Sequence, residues 1–191
     1  MSTYRKIHGR SIQAVTTDPT ESVAEGQVWY NTTSDTFKTV LTQEAWVASN
    51  KMNTPRATMA GGGIRTSAII SGKNGANPSD AALAESYNGT GWTSLTNVPA
   101  PRGYAVGTGS DSEEYVQAGG GYPSYTTDVY DWDGSSWTSG TGIPTATIEA
   151  GMCGPAAAAF FFGGNAGLTT SYARSGGSWT SGGTMASGVY A

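Results

Sequence analysis

An all-β chain built from repeated four-stranded units is the fold this sequence predicts, and three observations carry it. Tryptophan recurs at Trp46, Trp92, Trp137 and Trp179, in steps of 46, 45 and 42 residues. Beyond Trp46 the chain is so often cut by Gly and Pro that no stretch is long enough for helical units of that period. Asn88-Gly89 and Asp133-Gly134 stand between apolar flanks as tight-hairpin signals, because Asn, Asp and Gly all tolerate positive φ.

The elements of each unit follow in a fixed order. The first strand is entered after a link, Pro55-Arg56 or Pro101-Arg102, nine and ten residues beyond a tryptophan. The second is an apolar or aromatic run ending in small residues: Ala68-Ile69-Ile70-Ser71-Gly72, Tyr115-Val116-Gln117-Ala118-Gly119-Gly120 and Phe160-Phe161-Phe162-Gly163-Gly164. The third carries a tyrosine, Tyr87, Tyr130 or Tyr172, five to seven residues before the tryptophan. A turn follows, and the fourth strand carries the tryptophan, three times as Trp-Thr-Ser. A polar link with one apolar residue (Met52, Val98, Ile143, Met185) closes the unit. Only Asp80 to Glu85 reads as locally helical, for one turn. Four antiparallel strands in 42 to 46 residues is the size of one β-propeller blade.

This order of Gly-Gly, Tyr, Trp and a Pro- and Arg-bearing link resembles the kelch repeat. The resemblance covers about residues 46–191 and is strongest in the second copy. The first copy has Ser71-Gly72 for Gly-Gly, and the third lacks Pro-Arg after its tryptophan. Trp132-Asp133 occurs once only, which sets aside the other familiar propeller repeat. The kelch resemblance implies blade-packing roles for Trp46, Trp92, Trp137, Trp179, Tyr87, Tyr130 and Tyr172. It also implies that Gly119, Gly120, Gly163 and Gly164 end strands and let neighbouring blades approach.

The units run over about 53–98, 99–143 and 144–185, with the start of a fourth at 186–191. Three blades fall short of the four to eight that propellers use. Continuation of the chain past Ala191 is the expectation, with completion by identical chains as the alternative.

Residues 1–45 differ. The first 24 have few apolar positions and no helical period, with a turn at Asp18-Pro19, and read as an extended arm. Glu25 to Asn31 and Thr36 to Val40 read as two strands about a Thr-Thr-Ser-Asp turn. Such a hairpin is marginal alone and is expected to dock on something. Tyr4-Arg5-Lys6-Ile7-His8-Gly9-Arg10, with Gly26-Gln27-Val28-Trp29-Tyr30-Asn31 and Phe37-Lys38, resembles the amino-terminal portion of structural proteins of marine tailed phages, cyanobacterial ones especially. Glu85 to Thr93 is similar to the kelch-like repeats of their tail-fibre-like proteins. The resemblance implies a virion protein of tail fibre or baseplate, docked through Tyr4, Arg5, Lys6, His8, Arg10, Trp29 and Tyr30. It further implies homo-oligomers, possibly trimers, other virion proteins as partners, and a host-surface glycan or protein as target. A purely architectural neck, collar or capsid-decorating protein is the alternative.

Charge and chemistry narrow the function further. The net charge is -4, and the last 89 residues hold seven acids against the single base Arg174, a surface that repels nucleic acid. No run of 18 apolar residues suggests a membrane span. His8 and Cys153 are the one histidine and one cysteine, too few for a zinc site; a Cys-His pair is not expected of them, and a triad would need His8 while no serine stands in a nucleophile elbow. The copper centre of galactose-oxidase-type kelch enzymes needs histidines that this chain lacks. No cofactor and no catalysis are therefore expected. Cys153 reads as a buried thiol, and the acids Asp111, Glu113, Glu114, Asp128, Asp131 and Asp133 as solvated loop residues. Calcium binding or glycan hydrolysis by those acids are lesser alternatives. Gly61-Gly62-Gly63 and Gly119-Gly120-Gly121 read as strand ends and turns, since no helix follows to cradle a phosphate. Tyr104, Tyr122 and Tyr125 fall in connections, where aromatic faces beside Asn, Asp and Thr would suit contact with a glycan.

Overall fold

The computed structural model describes residues 12–19, 28–39, 48–73, 80–121, 124–165 and 167–189. Among them fifteen strands form four sheets, so the chain is all-β. It divides into two compact units, Met1–Ala48 and Ser49–Ala191. No helix among the described residues is long and apolar enough to cross a membrane.

In the first unit, β2 (Val28–Asn31) and β3 (Thr36–Thr39) pair antiparallel about the turn at 32–35. The arm contributes a strand of its own: β1 (Gln13–Val15) pairs parallel with β2. The hairpin thus gains a third strand from its own chain. Asp18, just beyond β1, accepts hydrogen bonds from Trp29 Nε1 (2.9 Å), Asn31 Nδ2 (2.6 Å) and Lys38 Nζ (2.7 Å). These three donors hold the Asp18 carboxyl at about 2, below its ordinary 3.8.

The second unit holds three four-stranded antiparallel sheets in chain order. Sheet I is β4 (Ala60–Ile64), β5 (Ser67–Ser71), β6 (Ala84–Tyr87) and β7 (Trp92–Ser94). Sheet II is β8 (Val106–Gly109), β9 (Tyr115–Ala118), β10 (Val129–Trp132) and β11 (Trp137–Gly140). Sheet III is β12 (Gly151–Cys153), β13 (Phe160–Phe162), β14 (Thr170–Ser175) and β15 (Ser178–Thr184). Each sheet is a simple meander, and the first strands meet: β8 packs against both β4 and β12. This is a propeller-like arrangement, with first strands innermost.

Three repeated devices bind sheet to sheet. Each tryptophan donates its indole N–H back to the link before its own sheet: Trp92 to Asn50 O (3.1 Å), Trp137 to Thr96 O (2.8 Å), Trp179 to Thr141 O (3.0 Å). The end of each second strand bonds forward to the next link: Lys73, Gly120 and Gly164 N–H donate to Arg102, Thr147 and Val189 O at 2.9–3.0 Å. Just before these lie Gly72, Gly119 and Gly163, at φ 76, 64 and 71°. A Cβ there would stand 2.3, 2.7 and 2.4 Å from those same carbonyls, so only glycine lets the next repeat approach. Val189 in the chain's last described segment thus takes the place that Arg102 and Thr147 take between sheets.

The core lies between the sheets. Ala60, Ile69, Ala105, Tyr115 and Trp132 cluster between sheets I and II. Val116, Ala118, Val129, Ile143, Ala150, Phe161 and Tyr172 belong to the larger cluster between sheets II and III. Burial of Tyr115 and Phe161 stabilises by roughly 1.5–3 kcal/mol each. Val98 and Ile143, the apolar link residues, are both 2% exposed; Val98 clusters with Ala84 and Tyr130, and Ile143 with Val129 and Phe161.

Several sequence expectations are corrected by register. Tyr87 is not the counterpart of Tyr130 and Tyr172: it pairs directly opposite Trp92, as Trp132 does opposite Trp137 and Arg174 opposite Trp179. The first repeat has Glu85 where the others have tyrosine. The second glycine of the first copy is replaced by Lys73, which makes the forward bond in its stead. Gly61, Gly62 and Gly63 lie inside β4, not at its end, because a Cβ on Gly62 would meet the backbone of Thr108 and Gly109 at 2.6–3.0 Å. Cys153 is exposed, as the last residue of a short strand running into the turn at Gly154. The helical turn is a 3-10 turn at Asp80–Ala82, after which Ala84 and Glu85 are already strand; a second such turn spans Ala156–Ala158.

Candidate functional site

The inner strands are entered through three residues at one repeat position: Thr58, Tyr104 and Glu149, spaced like the tryptophans by 46 and 45. All three have a left-handed backbone, at φ 54, 57 and 55°. Backbone bonds string them together across the sheets, Tyr104 N–H donating to Thr58 O (3.0 Å) and Glu149 N–H to Tyr104 O (3.2 Å). The left-handed conformation costs an L-residue roughly 1–2 kcal/mol, and the cross-sheet bonds offset part of that.

These three residues line a cavity of about 340 Å³ together with Met59, Ala60, Gly61, Ala105, Val106, Gly107 and Ala150 of the inner strands. Its polar lining residues are Thr58, whose hydroxyl donates to Ala57 O (2.7 Å), Tyr104 and Glu149; the other lining residues are aliphatic or glycine. Among the described residues one acid and no base line it. Gly107 keeps one wall thin for a packing reason: a Cβ there would meet the hydroxyl of buried Tyr115 at 2.0 Å. Burial pushes the Tyr115 phenol well up from its ordinary 10, and its hydroxyl lies 3.0 Å from Ser71 Oγ.

The structure scatters the other residues singled out from sequence. Tyr125 is 41% exposed, and its hydroxyl accepts from Asn165 Nδ2 (2.6 Å). Tyr122, Trp46 and the arm residues Tyr4, Arg5, Lys6, His8 and Arg10 lie outside the described residues. Trp29 is 5% exposed and bonded to Asp18, so its side chain packs inside its own unit rather than presenting a contact surface. Tyr30 bonds to Asp35, and its ring lies 5.1 Å from that of Phe37, which is 54% exposed.

The acids are structural in detail. Asp131 is no loop residue: it lies in β10 and takes a bidentate pair from Arg174 (2.6 and 2.7 Å), tying sheet III to sheet II. Asp111 and Asp133 cap turns by accepting backbone N–H bonds, from Glu113 and Glu114 and from Ser135 and Ser136 respectively. The backbone and hydroxyl donors of Ser135 and Ser136 hold the Asp133 carboxyl well below the usual carboxylate range. Asp128 pairs with Arg102, which also donates to the Tyr130 hydroxyl (3.2 Å). Among the described residues no group of three His, Cys, Asp or Glu is placed to hold a metal ion.

Sequence reasoning missed Thr58, Glu149, Arg174 and Glu85. The 46- and 45-residue steps would have aligned Thr58 and Glu149 with Tyr104, but residue type alone signals no left-handed backbone. Arg174 is hidden because its partner lies 43 residues away on another sheet.

No family model matches this chain, and no curated protein matches it. Among solved structures the chain is similar to one titled "Structure of YjhT", with a TM-score of 0.60 and 14% identity. The likeness covers 72% of this chain and 54% of that one, so the chain spans about half of that structure's length. At this identity the likeness concerns the fold alone: an all-β, propeller-like array.

Proposed function

We propose that this chain is a virion protein of a tailed phage, of the tail fibre or baseplate, that docks through its amino-terminal unit and presents kelch-like blades for attachment to the host surface. The observation that supports the reading best is the pairing of two separate compact units, a small one and a repeat array, on the residues that resemble such proteins. The second unit holds three four-stranded sheets among the described residues, each with the strand number of a propeller blade.

The mechanism is binding rather than catalysis. Four of the acids weighed for hydrolysis, Asp111, Asp128, Asp131 and Asp133, are engaged in ion pairs and turn caps, and many weak contacts multiplied over copies on a particle supply avidity without a tight single site. The purely architectural reading keeps the same docking and removes the host contact.

Adsorption competition separates the two. Excess soluble chain is expected to slow phage adsorption; unchanged adsorption rejects the attachment role in favour of the architectural one. Mass spectrometry of purified particles is expected to find a polypeptide beginning Met1-Ser2-Thr3-Tyr4-Arg5, and its absence from particles rejects both.

A further inference from the structure

We infer that sheet III carries a self-association surface built on Phe160, Phe162 and Cys153, against which a second copy of this chain seats its sheet I, so that two copies join head to tail. The inference is independent of the attachment reading, since it concerns the chain in solution.

Each sheet has a front, toward the sheet that follows it, and a back. One and three places before Gly72, Gly119 and Gly163 stand Ser71 and Ile69, Ala118 and Val116, and Phe162 and Phe160. In sheets I and II these are front residues, buried by the following sheet. Ile69 clusters with Tyr115 and Trp132, Ser71 Oγ lies 3.0 Å from the Tyr115 hydroxyl, and Val116 and Ala118 cluster with Phe161. In sheet III the same two places hold two phenylalanines; Phe160 is 37% exposed and Phe162 is half-buried. Phe161 between them points to the back, as alternation requires, and is buried against sheet II. The rings of Phe160 and Phe162 lie 6.0 Å apart, and beside them on β12 stand exposed Cys153 and Gly151. Among the described residues no fourth sheet lies in front of them. The face continues, position for position, the interface that joins I to II and II to III.

The two existing joints say what fits. Gly62, Thr108 and Cys153 are equivalent, each paired with the front residue Ile69, Val116 or Phe160. Each of the first two meets backbone of the next sheet: a Cβ on Gly62 would stand 2.6 Å from Gly109 N, and Thr108 Oγ1 donates to Gly154 O (2.7 Å). The receiving residue is the one that follows the equivalent position, and in sheet I that residue is Gly63, which is exposed. Cys153 is thus matched by Gly63 of a second copy. Bulk is matched as well. Opposite its receiving glycine sheet II carries Tyr115, whereas sheet I carries Ala68, which leaves room for the two rings at the front of sheet III. Copy number follows from the sheets. Two arrays of three sheets bring six, within the four to eight blades of closed propellers, and three arrays bring nine. A head-to-tail contact that closes is a ring, and once one joint has formed the other is intramolecular.

The test is sedimentation equilibrium of the full chain, which is expected to give twice the chain mass. Phe160→Glu and Ala68→Arg are each expected to weaken the dimer by roughly thirtyfold or more, with an unchanged far-UV spectrum. Mixed in equal amounts, the two variants are expected to regain a dimer, because one joint is then unaltered and the other sets the new acid against the new base. Cys153 of the parent is expected to react about tenfold more slowly with a thiol reagent at concentrations that hold the dimer. If Ala68→Arg loses its far-UV spectrum, the thiol rate decides alone. A parent that stays monomeric or forms trimers overturns the proposal, as does a mixture of folded variants that regains nothing. Parent-like dimers of Ala68→Arg overturn it too, and so does a ready Cys153–Cys153 disulfide on mild oxidation, which would set sheet III against sheet III. A monomeric parent whose Cys153 is shielded only on purified particles gives the face to another virion protein and overturns it as well. None of these outcomes alters the adsorption test of the attachment reading.

Discussion

Glu85 in sheet I and Tyr130 in sheet II occupy the same place, seven residues before their tryptophans, and solve it with opposite chemistry. Glu85 is 1% exposed and ion-paired to Arg56, which also donates to Leu83 O (2.6 Å); Asn53 and Thr54 N–H donate to the same carboxylate (2.8 and 3.1 Å). Tyr130 keeps a phenol there, with Arg102 5.5 Å above its ring and bonded on to Asp128 nearer solvent. In sheet III the residue is Tyr172, its hydroxyl 2.8 Å from Thr145 Oγ1. The neighbouring position varies likewise: Tyr87 against Trp92, Trp132 against Trp137, and Arg174 over Trp179 at 5.7 Å. What recurs is backbone: the forward bonds, the indole-to-link bonds and the left-handed glycines. The array is therefore specified by where the chain can pass, and side chains between sheets need only fill and satisfy the space.

The comparison breaks first at Glu85. Glu85→Ala leaves Arg56 charged and buried, and is expected to cost about 3–5 kcal/mol in urea unfolding. Replacing both partners, as Arg56→Met with Glu85→Leu, is expected to restore only part of that loss, because Asn53 and Thr54 N–H lose the carboxylate they bond. Tyr130→Phe, at the same place in sheet II, is expected to cost only about 0.5–1.5 kcal/mol. Equal losses at Glu85 and Tyr130 would mean that the position, not its chemistry, sets the stability.

Gly119→Ala tests the backbone half. It forces an alanine to φ 64° and sets its Cβ against Thr147 O, so a loss of roughly 2–4 kcal/mol is expected. Gly176→Ala, with open space around it, is expected to lose only the conformational part, about 1–2 kcal/mol. If the two match, the close approach of the next link is not what that glycine provides.

The smallest effect belongs to the first unit, whose described residues rely on Asp18. Its carboxyl is depressed to about 2 from 3.8, so its contribution is fully present above about pH 4 and lost as pH falls through about 2. The Trp29 indole N–H resonance is expected to move over that acid range and to be flat in Asp18→Asn. A Trp29 signal that is constant down to pH 2 in the parent would remove Asp18 from that role.

Much of the fold was legible because it is periodic. Trp92, Trp137 and Trp179 mark fourth strands at their repeat steps, and Asn88-Gly89 and Asp133-Gly134 mark the turns before two of them. The position of Glu85 was not legible, since counting back from tryptophan to the nearest tyrosine picks Tyr87, two residues off. Strand pairing decides which residue faces which, and a two-residue error keeps the same face, so alternation gives no warning. Cys153 was misplaced for a related reason: an alanine-rich neighbourhood reads as core, whereas exposure is set by where a short strand ends.

By itself the sequence determined the all-β class, the meander within each unit and the order of the sheets, because turn chemistry and a 42- to 46-residue period are local properties. Tertiary structure alone decided the Arg174–Asp131 tie, the burial of Glu85 with Arg56, and the gathering of Thr58, Tyr104 and Glu149 about one cavity. Each joins residues some 29 to 46 positions apart along the chain, within one repeat for Arg56 and Glu85 and across repeats for the others, where no local propensity reaches.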